Sequence, residues 1–330
     1  MPLRVKNMLL SVAFSSVQLL ARVKVAVLGV GRWGRNHVRV VKSLEREGIA
    51  ELVCIHDIDL GRARTVANEF GVQRVCESID DLEKLGVEAA IIATSIESLA
   101  EVSRRVASMG INVLVEKPVA TKLEDLRELR RIVESRGLVA VPGFIMRFSA
   151  VVAKLRSIAS SLGVYYAIFR RLSRRPPHMR RYPLALDLAI HDVDLCSYVL
   201  NLDELRIVDV HRAVLGIDEL LVMVLEGKGT RCLVHVDGLS LAKVREIELV
   251  GENAFARCNT DDSTIMVRKP DGSYIVEKVV GEEPLLVEDR AFLKLVRGEY
   301  VDEQRVVPTL RDAERALSIV LTCVDREFGR

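Results

Sequence analysis

From Val23 onward the chain alternates short apolar runs with segments whose apolar residues recur every three or four positions. The runs Val23 to Leu28, Leu52 to His56, Ala89 to Ala93, Asn112 to Val115 and Leu138 to Val141 are too short for helices and rich in β-branched residues. They predict buried strands. Between them Leu123, Leu126, Leu129, Ile132 and Val133 fall at helical spacing beside charged neighbours, with Thr121 as the expected N-cap. Strand and helix in strict alternation predict βαβ units and a doubly wound parallel sheet.

After about Phe144 the pattern changes. A helical segment from Ser149 to Ser160 leads to an apolar run from Val164 to Phe169, then to Leu205 to Val214, Leu220 to Leu225, Cys232 to Val236 and Ile247 to Val250. Gly227 with Gly229, and Pro270 to Gly272 between Thr264 to Val267 and Tyr274 to Val279, supply hairpin turns. Hairpin-linked strands predict an open, mainly antiparallel sheet covered on one face by helices. The expected fold class is therefore α/β, a Rossmann sheet followed by an α+β domain. Residues 1–22 are read as an extension, 23–145 as the dinucleotide-binding domain and 146–330 as a substrate-binding and oligomerisation domain. A C-terminal helix, Pro308 to Phe328, is free to return to either domain.

Composition narrows the class. With 330 residues, 49% of them hydrophobic, the chain can bury a large core in two domains. A formal charge of +2 gives no global field for nucleic acid or an anionic membrane. Cys54, Cys76, Cys196, Cys232, Cys258 and Cys323 form no C-x-x-C pair, so neither a metal site nor a disulfide framework is expected. A reducing cytoplasm suits them. The apolar stretch Met8 to Leu20 is diluted by Ser11, Ser15, Ser16 and Gln18 and is read neither as a signal nor as a membrane span. Scarce glutamine beside abundant arginine and glutamate resembles the bias of thermophile proteins.

Gly29, Gly31 and Gly34 form G-x-G-x-x-G directly after the first strand and at the start of a helix, which is where the motif binds a pyrophosphate. Asp57 closes the second strand at the right interval to hydrogen-bond both hydroxyls of the adenosine ribose. A carboxylate there repels a 2′-phosphate, so NAD is expected over NADP, although Arg62 and Arg64 stand nearby. Thr94, at the end of the third strand, is a further cofactor neighbour.

Five segments resemble the glucose-fructose oxidoreductase, inositol dehydrogenase and MocA (Gfo/Idh/MocA) family: Val27 to Gly34, Val113 to Pro118, Gly143 to Phe148, Asp187 to Asp194, and Glu283 to Glu288 with Phe292. The resemblance implies that Lys117, Asp187 and His191 meet at the reacting carbon, and that Arg32, Trp33, Glu116 and Lys117 border the cofactor. Each type suits the work. Histidine can take the hydroxyl proton near neutral pH, a lysine ammonium can stabilise the developing alkoxide, and an aspartate four residues before the histidine lies on the same helix face and can orient it. Pro118 fits a tight turn that presents Lys117 and admits a cis bond. Arg147 is expected at the substrate cleft or between domains. Ser95 and Leu99 depart from the family pattern, as does Arg147 to Ala150.

Trp33 and the Asp187 to Asp192 segment look most like the subgroup oxidising UDP-linked N-acetylated sugars at C3. The basic run Arg170, Arg171, Arg174, Arg175, His178, Arg180 and Arg181 adds a candidate diphosphate contact, with Arg174 and Arg175 foremost. Its alternative reading is a solvated loop or subunit contact. Alternatives for the whole chain are a free polyol or aldose dehydrogenase, a glycosidase of the same family using NAD as a transient oxidant, and a non-catalytic dinucleotide-binding regulator. The expected partners are a sugar or nucleotide-sugar substrate and further copies of the chain, paired through the C-terminal sheet as a homodimer or homotetramer.

Overall fold

Val25, Ala26, Val27 and Leu28 are completely buried on both faces of strand β1 (Val23–Leu28), as a strand inside a helix-covered parallel sheet requires. The computed structural model of the chain describes residues 21–215, 218–299, 301 and 307–325. The expected N-terminal extension lies outside them up to residue 20, as do the last residues expected in the C-terminal helix. After β1 come α1 (Arg32–Arg46), β2 (Ala50–His56), α2 (Leu60–Phe70), the single turn α3 (Asp81–Lys84), β3 (Ala89–Ile92), α4 (Leu99–Ser108), β4 (Asn112–Glu116), α5 (Leu123–Arg136) and β5 (Ala140–Gly143). The strands pair in the order β2-β1-β3-β4-β5, all parallel. The order reverses between β1 and β3, and the crevice beyond their carboxyl ends is where such sheets bind ligands.

A 3-10 turn at Ile145–Phe148 leads into α6 (Ala150–Leu162) and β6 (Val164–Leu172); a loop and the π-helical turn Ala185–Ala189 then run into α7 (Ile190–Leu200). Seven strands follow: β7 (Arg206–Leu215), β8 (Asp218–Gly227), β9 (Thr230–Asp237), β10 (Val244–Gly251), β11 (Phe255–Asn259), β12 (Thr264–Arg268) and β13 (Tyr274–Lys278). Helices α8 (Pro284–Val296) and α9 (Leu310–Asp325) follow them. The eight strands lie in the order β13-β12-β11-β10-β6-β9-β8-β7, antiparallel except where β6 meets β9. The expected two-domain α/β architecture is thus the observed one.

Ala167, Phe169, Cys232, Val234, Val236 and Leu249 are sealed beneath the helices, whereas Ile168, Val222, Val224 and Leu233 lie half-buried on the other face. All six cysteines are free and buried. One apolar cluster continues from Leu126, Leu129 and Val133 of α5 through Leu310, Leu317 and Val320 of α9 to Val193 and Leu195 of α7. Leu285, Phe292 and Leu293 of α8 pack with Val38, Val41, Leu114 and Val141 of the first domain. Two departures from the sequence reading have local causes. Thr121 does not cap α5, because the backbone enters the helix one residue later, at Lys122. Strand β11 went unread because Arg257 and Asn259 break the apolar alternation on its open face.

Arg147 fastens the turn that follows β5 to the helices of the second domain. Its guanidinium grips both oxygens of buried Asp194, sits 3.3 Å from Asp312 of α9 and lies 5.1 Å from the ring centre of Tyr198. Losing one member of a buried ion pair strands the other's charge and costs about 3–5 kcal/mol. Arg147→Met is therefore expected to lower the denaturant midpoint of the whole chain by a corresponding amount; an unchanged midpoint would refute the bridging role.

Candidate functional site

Three glycines open the crevice. At Gly29, with φ +81°, a Cβ would lie 2.6 Å from the backbone of Ala93 and Thr94, and at Gly34 it would fall 1.8 Å from the Gly29 carbonyl oxygen. Both positions are closed to side chains by neighbouring backbone. Gly31 differs: the nearest atom to a Cβ there is an Arg62 nitrogen at 4.0 Å, so its bareness leaves room at the start of α1. That room suits a pyrophosphate. Asp57 is buried, its Oδ2 accepting the Val30 N–H at 2.8 Å and its Oδ1 that of Asp59 at 2.9 Å. Asp59 caps α2, so Asp57 keeps lone pairs for a ribose. Thr94 has a buried hydroxyl with no protein partner at the end of β3. Arg32 and Trp33 are exposed at the rim, and the residues present fit a dinucleotide.

Lys117 follows β4 through a cis bond to Pro118. Its ammonium donates to the Asp187 carbonyl oxygen at 2.8 Å and to Asp187 Oδ1 at 3.2 Å, so the sheet edge of one domain meets the π-helical turn of the other. Asp187 Oδ2 lies 3.6 Å from buried Arg175, whose guanidinium also donates to the Tyr182 carbonyl oxygen. Asp187 is thus committed to Lys117 and Arg175, with no hydrogen bond to His191. His191 begins the following helix, partly exposed, with a buried and unpartnered Nδ1. Burial first, then the charges of Lys117, Arg171 and Arg245, hold its pKa well below 6.5. The imidazole is neutral at physiological pH and able to accept a proton.

Arg147, expected near substrate, is withdrawn from the cleft by Asp194 and Asp312. The basic run is mostly spent internally. Arg170 pairs with Glu246 and Glu248, Arg171 with Asp192, Arg180 donates to the Arg175 carbonyl oxygen, and Arg181 reaches Tyr182 and Glu97. Arg174 stays exposed. Tyr182 donates to Glu97 at 2.7 Å and so pins this loop over the segment after β3.

The sequence reading missed the support beneath Lys117. Glu116 accepts from Lys117 N–H with Oε2, and its Oε1 receives Trp33 Nε1 and, at 3.2 Å, His37 Nε2. His37 Nδ1 lies 2.9 Å from Asp289 of α8. Carboxylates at both nitrogens require an imidazolium. Burial opposes that charge, but Asp289 and Glu116 outweigh it and raise His37 well above 6.5. Neighbouring Glu288, with both oxygens buried and unpartnered, is driven by burial and by Glu116 and Asp289 well above 4.5. The sequence signal was two adjacent acids, Glu288 and Asp289, among the apolar positions of the stretch Pro284 to Val296.

Residues 23–144 match the model of the Gfo/Idh/MocA oxidoreductase family, described as an NAD-binding Rossmann fold. It is similar to scyllo-inositol 2-dehydrogenase (NAD(+)) of Bacillus subtilis (strain 168), 33% identical over 189 residues that cover 54% of each chain. The chain thus spans about half the length of the curated relatives it matches. Its fold resembles UDP-N-acetylglucosamine 3-dehydrogenase GnnA from Acidithiobacillus ferrooxidans, with TM-score 0.80, 23% identity, and 91% of this chain and 96% of the other covered. An oxidoreductase from Agrobacterium radiobacter in complex with NAD+, L-tartaric acid and magnesium aligns with TM-score 0.79 and 17% identity, covering 91% of this chain and 95% of that one.

Histidine NMR is expected to place the His191 midpoint below 6.5, and Lys117→Met is expected to raise it. A midpoint at or above 6.5 in the unsubstituted chain would contradict the assignment. The linkage sign follows. The unfolded chain protonates this histidine below pH 6.5 while the folded one resists, so its contribution is complete above that pH and is lost as pH falls toward the depressed value.

Proposed function

We propose that the chain is an NAD-dependent dehydrogenase acting on a secondary alcohol of a sugar. The observation that carries this is the meeting of Lys117 Nζ with Asp187, 3.2 Å from its carboxylate, beside a histidine held neutral and at the mouth of the glycine crevice. His191 takes the hydroxyl proton as the general base. The Lys117 ammonium donates a hydrogen bond to the same oxygen and stabilises its growing negative charge as the carbon becomes a carbonyl. Asp187 holds that ammonium in place, and Arg175 holds Asp187. Bound NAD+ supplies the electrophilic nicotinamide C4 that accepts the hydride.

The substrate we favour is a UDP-N-acetylhexosamine oxidised at C3. Support comes from exposed Arg174 in the loop that follows β6 and from a fold shared along nearly the whole chain with GnnA. A free polyol is the second reading, favoured by the likeness to the scyllo-inositol enzyme. Incubation with NAD and a panel of UDP-sugars, free hexoses, inositols and aryl glycosides separates them, with NADH followed by absorbance and products by mass. A product two mass units lighter from UDP-sugars alone is expected. Turnover of free polyols alone selects the second reading, cleavage of an aryl glycoside without NADH indicates the elimination chemistry, and NAD binding without turnover defeats the enzyme reading. His191→Ala and Lys117→Ala should each lower kcat about 10²–10⁴-fold while NAD binding persists; unchanged turnover would remove both from the catalytic set.

We also propose self-association through the open face of the eight-stranded sheet, where Ile168, Val222, Val224 and Leu233 form a half-buried apolar patch. Apolar rows of this kind are usually covered. Sedimentation is expected to give a dimer or tetramer that Leu233→Glu dissociates; a concentration-independent monomer before substitution would rule it out.

A further inference from the structure

Arg171 and Arg245 are directly opposed across the antiparallel pair β6 and β10. Both point to the helix-covered face, in step with Phe169 on one strand and Ile247 on the other, which are buried there. Like charges at opposed positions destabilise a sheet. Arg171 is relieved by Asp192, which takes it through two bonds of 2.7 and 2.9 Å. Arg245 is not. Its Nη1 donates to the carbonyl oxygens of Leu172 and Val244, both at 2.8 Å, and its Nη2 to the Ser173 hydroxyl at 3.0 Å. None of these acceptors is charged. The guanidinium is therefore held by uncharged acceptors, and the carboxylates of Asp192, Asp261 and Asp187 act on it only as neighbouring charges without an ion pair.

The position of this charge matters as much as its lack of a partner. Lys117, Arg171 and Arg245 are the cations whose fields reach His191, and Arg175 touches Asp187. Four cations thus surround the reaction centre, with the carboxylates of Asp187, Asp192 and Asp261 close by, and exposed Arg174 adjoins Ser173. A neutral polyol uses none of that excess. Where a local rule is broken without compensation in the folded chain, function is the usual reason.

We infer that Arg245, with Ser173 and Arg174, forms a subsite for an anionic group, phosphate or carboxylate, carried by the sugar whose carbinol lies at Lys117 and His191. This rests on the dehydrogenase reading above and narrows its substrate to phosphorylated or acidic sugars, nucleotide sugars included.

The first test is titration of the full chain with inorganic phosphate at constant ionic strength, with NADH saturating so that the dinucleotide site is closed to it. Arg245→Met is expected to weaken phosphate binding at least tenfold, to leave NADH binding unchanged, and to leave the melting temperature unchanged or higher because a like-charge pair has been removed. Equal phosphate binding by both proteins overturns the subsite. If binding and melting temperature both fall, Arg245→Lys decides: restored phosphate binding supports the subsite, and failure to restore it assigns Arg245 a structural role. Phosphate should also compete with the sugar and not with NAD, and Arg245→Met should raise KM for a hexose phosphate or uronate with little change in kcat. Turnover of neutral polyols, unaffected by Arg245→Met and by phosphate, overturns the inference and leaves the dehydrogenase standing. Loss of phosphate binding in the variant with no turnover of any sugar keeps the anion site and fails the dehydrogenase.

Discussion

The contact between the Lys117 ammonium and Asp187 is the constraint on which the rest of this molecule is arranged, because its two partners come from different domains. Lys117 ends a parallel strand, and Asp187 occupies a π-helical turn 70 residues further on. A displacement of about 1 Å at such a point can cost a hundredfold in rate, so the domains must not slide. Two features prevent that. Helix α8 seats Phe292 and Leu293 in the core of the first domain, and α9 packs between α5 and α7. Below the lysine, Glu116 accepts its backbone N–H and is itself held by Trp33 and His37.

Two histidines at this centre are driven in opposite directions by their surroundings. His37 stands between Asp289 and Glu116 and carries a proton; His191 stands among Lys117, Arg171 and Arg245 and does not. Environments that push like groups apart assign acid, base and support roles. The cationic histidine has both nitrogens engaged and braces the strand end, whereas the neutral one keeps proton-accepting capacity toward the cleft. Burial and the charges of Glu116 and Asp289 push the Glu288 carboxyl upward, against adding a further negative charge to the acidic cluster beneath the lysine.

What was legible in the chain was local. The glycines, Asp57 and Thr94 could be placed because each follows a strand whose apolar run is unmistakable, and Lys117 and Asp187 came together as the motif resemblance implied. Partners distant in sequence were not legible. His37 and Asp289 are 252 residues apart, and nothing in either neighbourhood announces the other. Arginine counts mislead for the same reason. The run from Arg170 to Arg181 reads as a free basic patch, yet folding gives Arg170 and Arg171 to acids on β10 and α7 and withdraws Arg147 from the cleft altogether. Register decides which cation keeps its charge available, and register is a property of the sheet.

That distinction bears on the chemistry of the site. The positive field that keeps His191 neutral lowers its affinity for a proton, and on the proposed dehydrogenase reading makes it a weaker base. An anion seated on Arg245 would offset part of that field and strengthen the base only while substrate is present. Linkage makes the effect reciprocal, so a proton on His191 tightens the hold on the anion by the same factor. Lys117 gains nothing from such relief, because Asp187 already compensates it. On the proposed reading, Arg245 on β10 would couple recognition of an anionic substrate to proton transfer, a coupling that a neutral substrate could not engage.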